Sequence, residues 1–371
     1  MKTLIIVIIV IVIIMIIRVY LLKKREKRTK WYRKQARKNI EKNIQTAILQ
    51  GKLVDNGIDA ALRYEGVFGS DDPVKTEIYT AGMHGNEYSA IQVNLRKVLK
   101  MDIQKLIDKK IQIIFVPIVN YWGFVNCKRT DEDGNDLVRS SGYRSKLGIS
   151  TQRHIMLSLK ELVRKNIYCP ITRKDYVKPE KQPVRWWFVS GWNSKLIEHT
   201  VAKGLGKTWY KMSKEITESL LALSKLVLPI IISRGVDNVL LLDSHTGNNS
   251  LKYAVWAHEL DSRTTVHPNF KEAIKRDDVD YSRIDYVTHG GFQEYLQEKY
   301  NIGQLNQGIL KKDFKIVNGY TIEFAVLDKA DSWSYFKQYV FGSVFEPKPK
   351  DREGKLKKAD IFTDLVMAPE I

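Results

Sequence analysis

Cysteine is almost absent from this chain, with Cys127 and Cys169 the only two among 371 residues. They allow at most one bridge, so the fold does not depend on a disulfide framework. Ten prolines and 22 glycines are too few for a collagen-like repeat, and no internal repeat of any period is visible. Acidic residues are in deficit, 42 against 61 Lys+Arg, which leaves a formal charge of +19. That surplus is not distributed like a nucleic-acid footprint. Residues 1–50 hold 13 Lys+Arg and 2 Asp+Glu, so the first 50 positions supply +11 and the other 321 only +8. No basic-aromatic stacking platform is found, which argues against nucleic acid as a partner. A hydrophobic content of 44% lets the chain bury a substantial core and excludes a disordered polar protein.

One long apolar run stands out. Leu4 to Leu22 is Ile, Val and Leu apart from Met15, Arg18 and Tyr20. Nineteen residues at helical rise span about 28 Å, the thickness of a bilayer's hydrocarbon. The run is too long for a signal peptide's apolar region, and no small-residue cleavage site follows it. Residues 1–22 are therefore expected to form a single transmembrane anchor. Lys23 to Lys38 contains ten Lys or Arg. The positive-inside rule places the body after them at the cytoplasmic face, with the extracytoplasmic face as the alternative. The same basic stretch, 23–38, can hold anionic lipid headgroups.

Residues 23–60 read as a charged juxtamembrane helix and linker, followed by one domain over 61–345. Within it Thr76–Thr80 reads as a strand and Glu87–Met101 as a helix. Ile111–Val119, Asn238–Asp243 and Tyr320–Val326 are apolar runs suited to central strands. Strands separated by helical stretches predict an α/β fold, a mixed and mostly parallel sheet with helices on both faces. Residues 150–225, rich in Lys, Trp and Pro, read as an insertion or lid. The segment 346–371 reads as a charged tail, exposed over Glu346–Lys358.

The chemistry concentrates at two strand ends. In Ala81-Gly-Met-His-Gly-Asn-Glu-Tyr88, His84 and Glu87 lie three apart where a strand turns into a helix, and imidazole and carboxylate both ligate zinc. In Leu240-Leu-Leu-Asp-Ser-His-Thr-Gly247, strand alternation puts Asp243 and His245 on one face at the end of a buried strand. Two His and one carboxylate leave a coordination position for water, the catalytic pattern. Glu323 lies inside the apolar strand Tyr320-Thr-Ile-Glu-Phe-Ala325, where an unpaired carboxylate is costly, and is expected to be the general base. His154, His199, His258, His267 and His289 have no comparable context and read as structural or surface residues.

These residues resemble the zinc carboxypeptidase superfamily, the carboxypeptidase A-like fold, and the His-Gly-Asn-Glu form resembles its succinylglutamate desuccinylase/aspartoacylase branch. Val119-Asn-Tyr-Trp-Gly-Phe124 and Lys128-Arg-Thr-Asp-Glu-Asp-Gly-Asn-Asp-Leu-Val-Arg139 are similar to further family motifs. The resemblance covers roughly residues 60–330 through four short segments. It implies one Zn2+ held by His84, Glu87 and His245, with Glu323 as general base and Arg129 polarising the scissile carbonyl. It also implies that Asp136 braces the first zinc histidine, with Asp243 likewise behind the ligands, and that Arg139 and Asn120 contact substrate. Tyr121 replaces the family's proline and Val138 an asparagine. The family's substrate tyrosine could be Tyr253, Tyr281, Tyr286, Tyr295 or Tyr300. The function implied is a membrane-anchored zinc hydrolase of an amide bond, first a carboxypeptidase-like peptidase. The alternatives are an N-acyl amino acid deacylase and an inactive membrane-tethered scaffold of the same fold.

Overall fold

Apolar residues that alternate or run unbroken form the strands, and those recurring every three or four positions form the helices. The computed structural model describes residues 33–139, 216–246, 253–257, 267–276, 279–283, 292–310, 317–324 and 349–369, with Ile13, Tyr20, Trp31 and Lys315 as isolated positions. Helix α1 covers 33–49, followed by β1 (Val54–Asp55), β2 (Tyr64–Gly69) and β3 (Lys75–Ala81). Next come α2 (Tyr88–Lys100), α3 (Ile103–Asp108), β4 (Ile111–Val116) and the short α4 (Tyr121–Asn126). A 3-10 turn at Leu137–Arg139 precedes α5 (Glu218–Arg234), β5 (Val239–Thr246), β6 (Tyr253–Ala257) and β7 (Val279–Arg283). The last described elements are α6 (Phe292–Asn306), β8 (Asn318–Phe324) and α7 (Pro349–Val366).

The strands form one sheet in the order β1-β2-β4-β3-β5-β8-β6-β7. Its centre, β4-β3-β5-β8, is parallel; β2 and β6 flank it antiparallel, and β7 joins β6 in parallel. Tyr79, Phe115, Leu240 and Leu242 face a layer built from α1, α2 and α7. Ile78, Ile114, Val116 and Leu241 face α5 and α6 on the opposite side. Neighbouring residues thus enter opposite layers, as pleated strands require, and the mixed sheet covered on both faces agrees with the sequence expectation. The chain leaves β3 toward β4 on one side and later occupies β5 on the other. Such a reversal opens a crevice at the carboxyl ends of β3 and β5.

Several sequence boundaries change. The expected anchor at 4–22 lies outside the described residues apart from Ile13 and Tyr20, and of the ten basic residues in 23–38 Arg33, Lys34, Arg37 and Lys38 are described. Among the described residues, no helix is long and apolar enough to cross a membrane. Part of the expected linker is helix α1, which buries Ala36, Ile40, Ile44 and Ala47 in the same core as α2. Residues 150–215 of the expected insertion lie outside the described residues, whereas 218–225 open the core helix α5, with Leu220 and Leu223 buried.

The expected exposed tail is a docked helix. Leu356, Ala359, Phe362 and Val366 of α7 form a buried stripe, and Asp360 and Asp364 pair with Arg96 (2.7 Å) and Lys97 (3.1 Å) of α2. Beyond the helix, the Ala368 N–H donates to Glu77 Oε2 at 2.9 Å, and Asn269 Nδ2 donates to the Val366 carbonyl at 3.0 Å. Glu77 is buried in β3, and Lys75 Nζ lies 2.9 Å from its carboxylate. Burial would raise its pKa, but Lys75 and the hydrogen bonds from Tyr79, Lys75 and Asn269 outweigh that and hold it below the usual value.

His267, half-buried against Phe270 and Tyr320, flanks this cluster. Burial first, and then the Lys75 charge, push its imidazole down from 6.5 to about 4. Between those values the unfolded chain binds the proton and the folded one does not, so stability falls as pH drops through that window. His267→Gln is expected to flatten this part of the profile in urea unfolding at pH 4.5 and 7. An unchanged slope would contradict the assignment.

Candidate metal centre

The strand-to-helix turn after β3 is forced by close packing. A Cβ on Gly85 would stand 2.1 Å from the Gly123 carbonyl carbon and from the Phe124 nitrogen of α4, so only glycine fits. Gly82 adopts φ +66°, a conformation glycine takes without penalty. This turn delivers His84 and leaves Glu87 as the residue preceding the first turn of α2, where the helix dipole favours a carboxylate. The end of β5 delivers Asp243 and His245. The direct pairing of Thr80 with Asp243 across β3 and β5 brings the two segments together.

Glu87 joins them. Its Oε1 lies 2.7 Å from His84 Nδ1 and its Oε2 lies 3.0 Å from His245 Nδ1. The imidazole centroids are 5.0 Å apart, and all three side chains are buried. The far nitrogens are engaged as well. His84 Nε2 is 3.0 Å from Asp136 Oδ1, and His245 Nε2 is 2.9 Å from Asp243 Oδ2. Asp136 also accepts from Arg129 Nε at 3.0 Å and from the Val138 amide at 3.1 Å, while Asp243 accepts from Thr80 Oγ1 at 2.8 Å. Arg129 Nη1 stands 3.9 Å from Glu87 Oε1.

This arrangement fits a divalent cation on two counts. A carboxylate at each Nε2 selects the tautomer with its proton there, so each Nδ1 lone pair faces Glu87, an acceptor facing an acceptor. A divalent cation between them resolves that conflict, as a second proton on each imidazole also would. Among the described residues, Glu87, Asp136 and Asp243 bring three negative charges and Arg129 one positive; with neutral imidazoles a divalent ion balances the remainder. The same field acts on the protons. Burial would raise the Glu87 carboxyl, but His84 and His245 outweigh it and hold Glu87 well below the carboxylate range. Burial would lower His245, yet Asp243 and Glu87 hold it well above an ordinary imidazole. The ligand atoms of His84, Glu87 and His245 all lie within 4.8 Å of one another, a zinc-type donor set.

The other expected site residues fall in different places. Asp136 and Asp243 each brace one imidazole. Asn120 is buried, and its amide is directed at backbone: Oδ1 accepts from the Gly123 N–H (2.7 Å), while Nδ2 faces the Met83 and Arg129 carbonyls (3.4 Å each). That arrangement ties the histidine turn to the Arg129 loop. Arg139 ends the 3-10 turn, and Glu323 pairs in register with His245 across β5 and β8; their side chains lie outside the described set. Tyr295 and Tyr300 pack against the α5 layer. Tyr253 and Tyr281 occupy β6 and β7, and Tyr286 lies outside the described residues. Sequence reasoning missed Thr80, whose hydroxyl donates to Asp243, and Thr246, whose backbone N–H donates to Glu87 and whose hydroxyl accepts from the Ala90 N–H. A hydroxyl at a strand end carries no spacing signal.

Residues 73–167 match the model of the succinylglutamate desuccinylase/aspartoacylase catalytic domain. The chain resembles that branch of the zinc carboxypeptidases. The matched stretch contains His84, Glu87, Arg129, Asp136 and Arg139, while His245 and Glu323 lie beyond it. Among solved structures, a metallo-carboxypeptidase from Burkholderia cenocepacia aligns with a TM-score of 0.43 at 14% identity, covering 88% of this chain and 67% of that one. Carboxypeptidase A from Helicoverpa armigera aligns at 0.42 and 13%, covering 89% and 72%. Succinylglutamate desuccinylase from Chromobacterium violaceum aligns at 0.38 and 14%, covering 83% and 65%. No curated protein matches the sequence.

Proposed function

We propose that this chain is a zinc-dependent hydrolase that cleaves an amide bond, in its first reading a carboxypeptidase-like peptidase. The observation that carries the proposal is Glu87 spanning His84 Nδ1 and His245 Nδ1 while Asp136 and Asp243 hold the opposite nitrogens. Zinc bound by these three residues supplies Lewis acidity toward a carbonyl and a water of lowered pKa. Glu323, whose backbone neighbours His245, takes the proton from the attacking water and returns it to the leaving amine. Arg129, fixed by its Nε bond to Asp136 with Nη1 3.9 Å from Glu87 Oε1, brings its positive charge to the developing oxyanion. Arg139 grips the substrate's carboxylate with its planar fork.

A second reading, hydrolysis of an N-acyl amino acid, is favoured by the match of residues 73–167 to the desuccinylase/aspartoacylase domain. A panel of peptides set against N-acyl amino acids separates the two. In both readings residues 4–22 anchor the protein in a bilayer, with the body at the cytoplasmic face and residues 23–38 close to anionic headgroups. Protease accessibility in sealed vesicles tests that orientation.

The deciding experiment pairs metal analysis with one variant. Purified protein is expected to contain one zinc per chain. Glu323→Ala is expected to keep that zinc and to lose about 10²–10⁴-fold in kcat, the usual contribution of a general base. Absence of zinc would favour a tethered scaffold of the same fold; full activity in Glu323→Ala would remove Glu323 from the mechanism.

A further inference from the structure

Glu87 occupies the N-cap of α2, yet its side chain makes no capping bond, because both oxygens are turned to the imidazoles. The buried amides of a first helical turn nevertheless need acceptors. The N–H of Ala90, third residue of the helix, finds one outside it, on Thr246 Oγ1 at 3.2 Å. The backbone N–H of Thr246 in turn donates to Glu87 Oε2 at 2.9 Å. Thr246 is the last residue of β5, follows His245 directly and is buried. One residue therefore caps α2 from across the crevice and holds the carboxylate that the cap position would ordinarily use.

We propose that Thr246 is a positioning residue that sets the separation between the α2 half of the metal centre, His84 and Glu87, and the β5 half, His245. Threonine is a preferred helix cap because its oxygen accepts from a first-turn amide. Here that preference is met by a neighbouring strand, so capping the helix and bringing the ligands together are one event. Without the hydroxyl the Ala90 amide is left buried and unpaired. The first turn of α2 then relaxes away from β5 and takes Glu87 with it. The inference rests on the reading of His84, Glu87 and His245 as zinc ligands.

The test measures the zinc dissociation constant by competition with a chromophoric chelator, alongside thermal unfolding of the metal-free proteins. Thr246→Val keeps the side-chain shape and the backbone N–H and removes only the hydroxyl. It is expected to weaken zinc about 10–100-fold, the range found when groups supporting metal ligands are lost. Thr246→Ser restores the acceptor and is expected to stay within about threefold of wild type. Thr363→Val is the control for general destabilisation. Its hydroxyl donates to the Asp360 carbonyl within α7, so its loss is expected to lower the melting temperature and leave the zinc constant unchanged. Should Thr246→Val not fold, Thr246→Ala removes the same acceptor and carries the same expectation.

Wild-type zinc affinity in a folded hydroxyl-less variant overturns the positioning role and leaves the metal centre standing. Equal weakening in Thr363→Val also overturns it, because the effect would then be global. Failure of wild type to bind zinc overturns the metal reading and this inference together.

Discussion

Glu87→Ala is expected to abolish stoichiometric zinc binding and to reduce turnover to background. Among the described residues, Glu87 is the only side chain hydrogen-bonded to both histidines, and its two oxygens also receive the Thr246 amide and lie near Arg129. Removing it leaves two imidazole nitrogens facing an empty volume and a buried amide without its acceptor. Metal content, read by atomic absorption, should fall from one per chain to near zero. Turnover should drop by more than about 10³-fold, since both Lewis acidity and the activated water depend on the ion.

Stability gives a second readout of the same event. A ligand present at a thousand times its dissociation constant stabilises the folded state by about 4 kcal/mol. For a domain of this size that corresponds to roughly 6–7 °C in melting temperature. Wild type is therefore expected to lose about that much on adding chelator, and Glu87→Ala to lose none. A variant that keeps its zinc and its response to chelator would show that the ion sits elsewhere.

The second large effect is expected at the other end of the chain. Truncation after residue 348 removes α7 and with it Leu356, Phe362, Val366 and Met367 from the core. At about 1.5–3 kcal/mol for each buried large apolar side chain, the upper-bound loss approaches the whole stability of a typical domain. It also deprives Glu77 of the Ala368 amide and Arg96 and Lys97 of Asp360 and Asp364. The truncated chain is expected to be insoluble or to lack a cooperative unfolding transition. Phe362→Ala alone should cost about 3–5 kcal/mol, the range for aromatic deletion in a closed core. A truncated protein melting at the wild-type temperature would show that α7 only rests on the surface.

These two regions also show what could be read in the sequence. The central strands were legible because Ile111–Val119, Asn238–Asp243 and Tyr320–Val326 are mainly apolar runs, a pattern that burial on both faces imposes. His84, Glu87 and His245 were legible because ligand types at a strand end are rare and chemically specific. Asp136 and Arg129 came into view only through resemblance to a family, since an acidic loop such as Asp131–Asp136 looks solvated without a partner. Helices α1 and α7 were hidden by their outer faces. In α7 the stripe Leu356, Ala359, Phe362 and Val366 has helical spacing, but lysines and aspartates surround it and Pro347 and Pro349 precede it. Composition therefore pointed to a tail where the spacing described a docked helix. Thr246 was not legible, because its function depends on an amide 156 residues earlier in the chain.

The adjacency of β3 and β5 has one more consequence. The two halves of the centre are about 160 positions apart along the chain, yet they are locked by backbone pairing from Thr76↔Val239 to Ala81↔Ser244. The span from residue 140 to 215 thus leaves and re-enters a framework whose register is already set. Lengthening such an excursion costs only the slowly growing entropy of closing a larger loop. A change of length between residues 140 and 215 is accordingly expected to leave His84, Glu87 and His245 in their places.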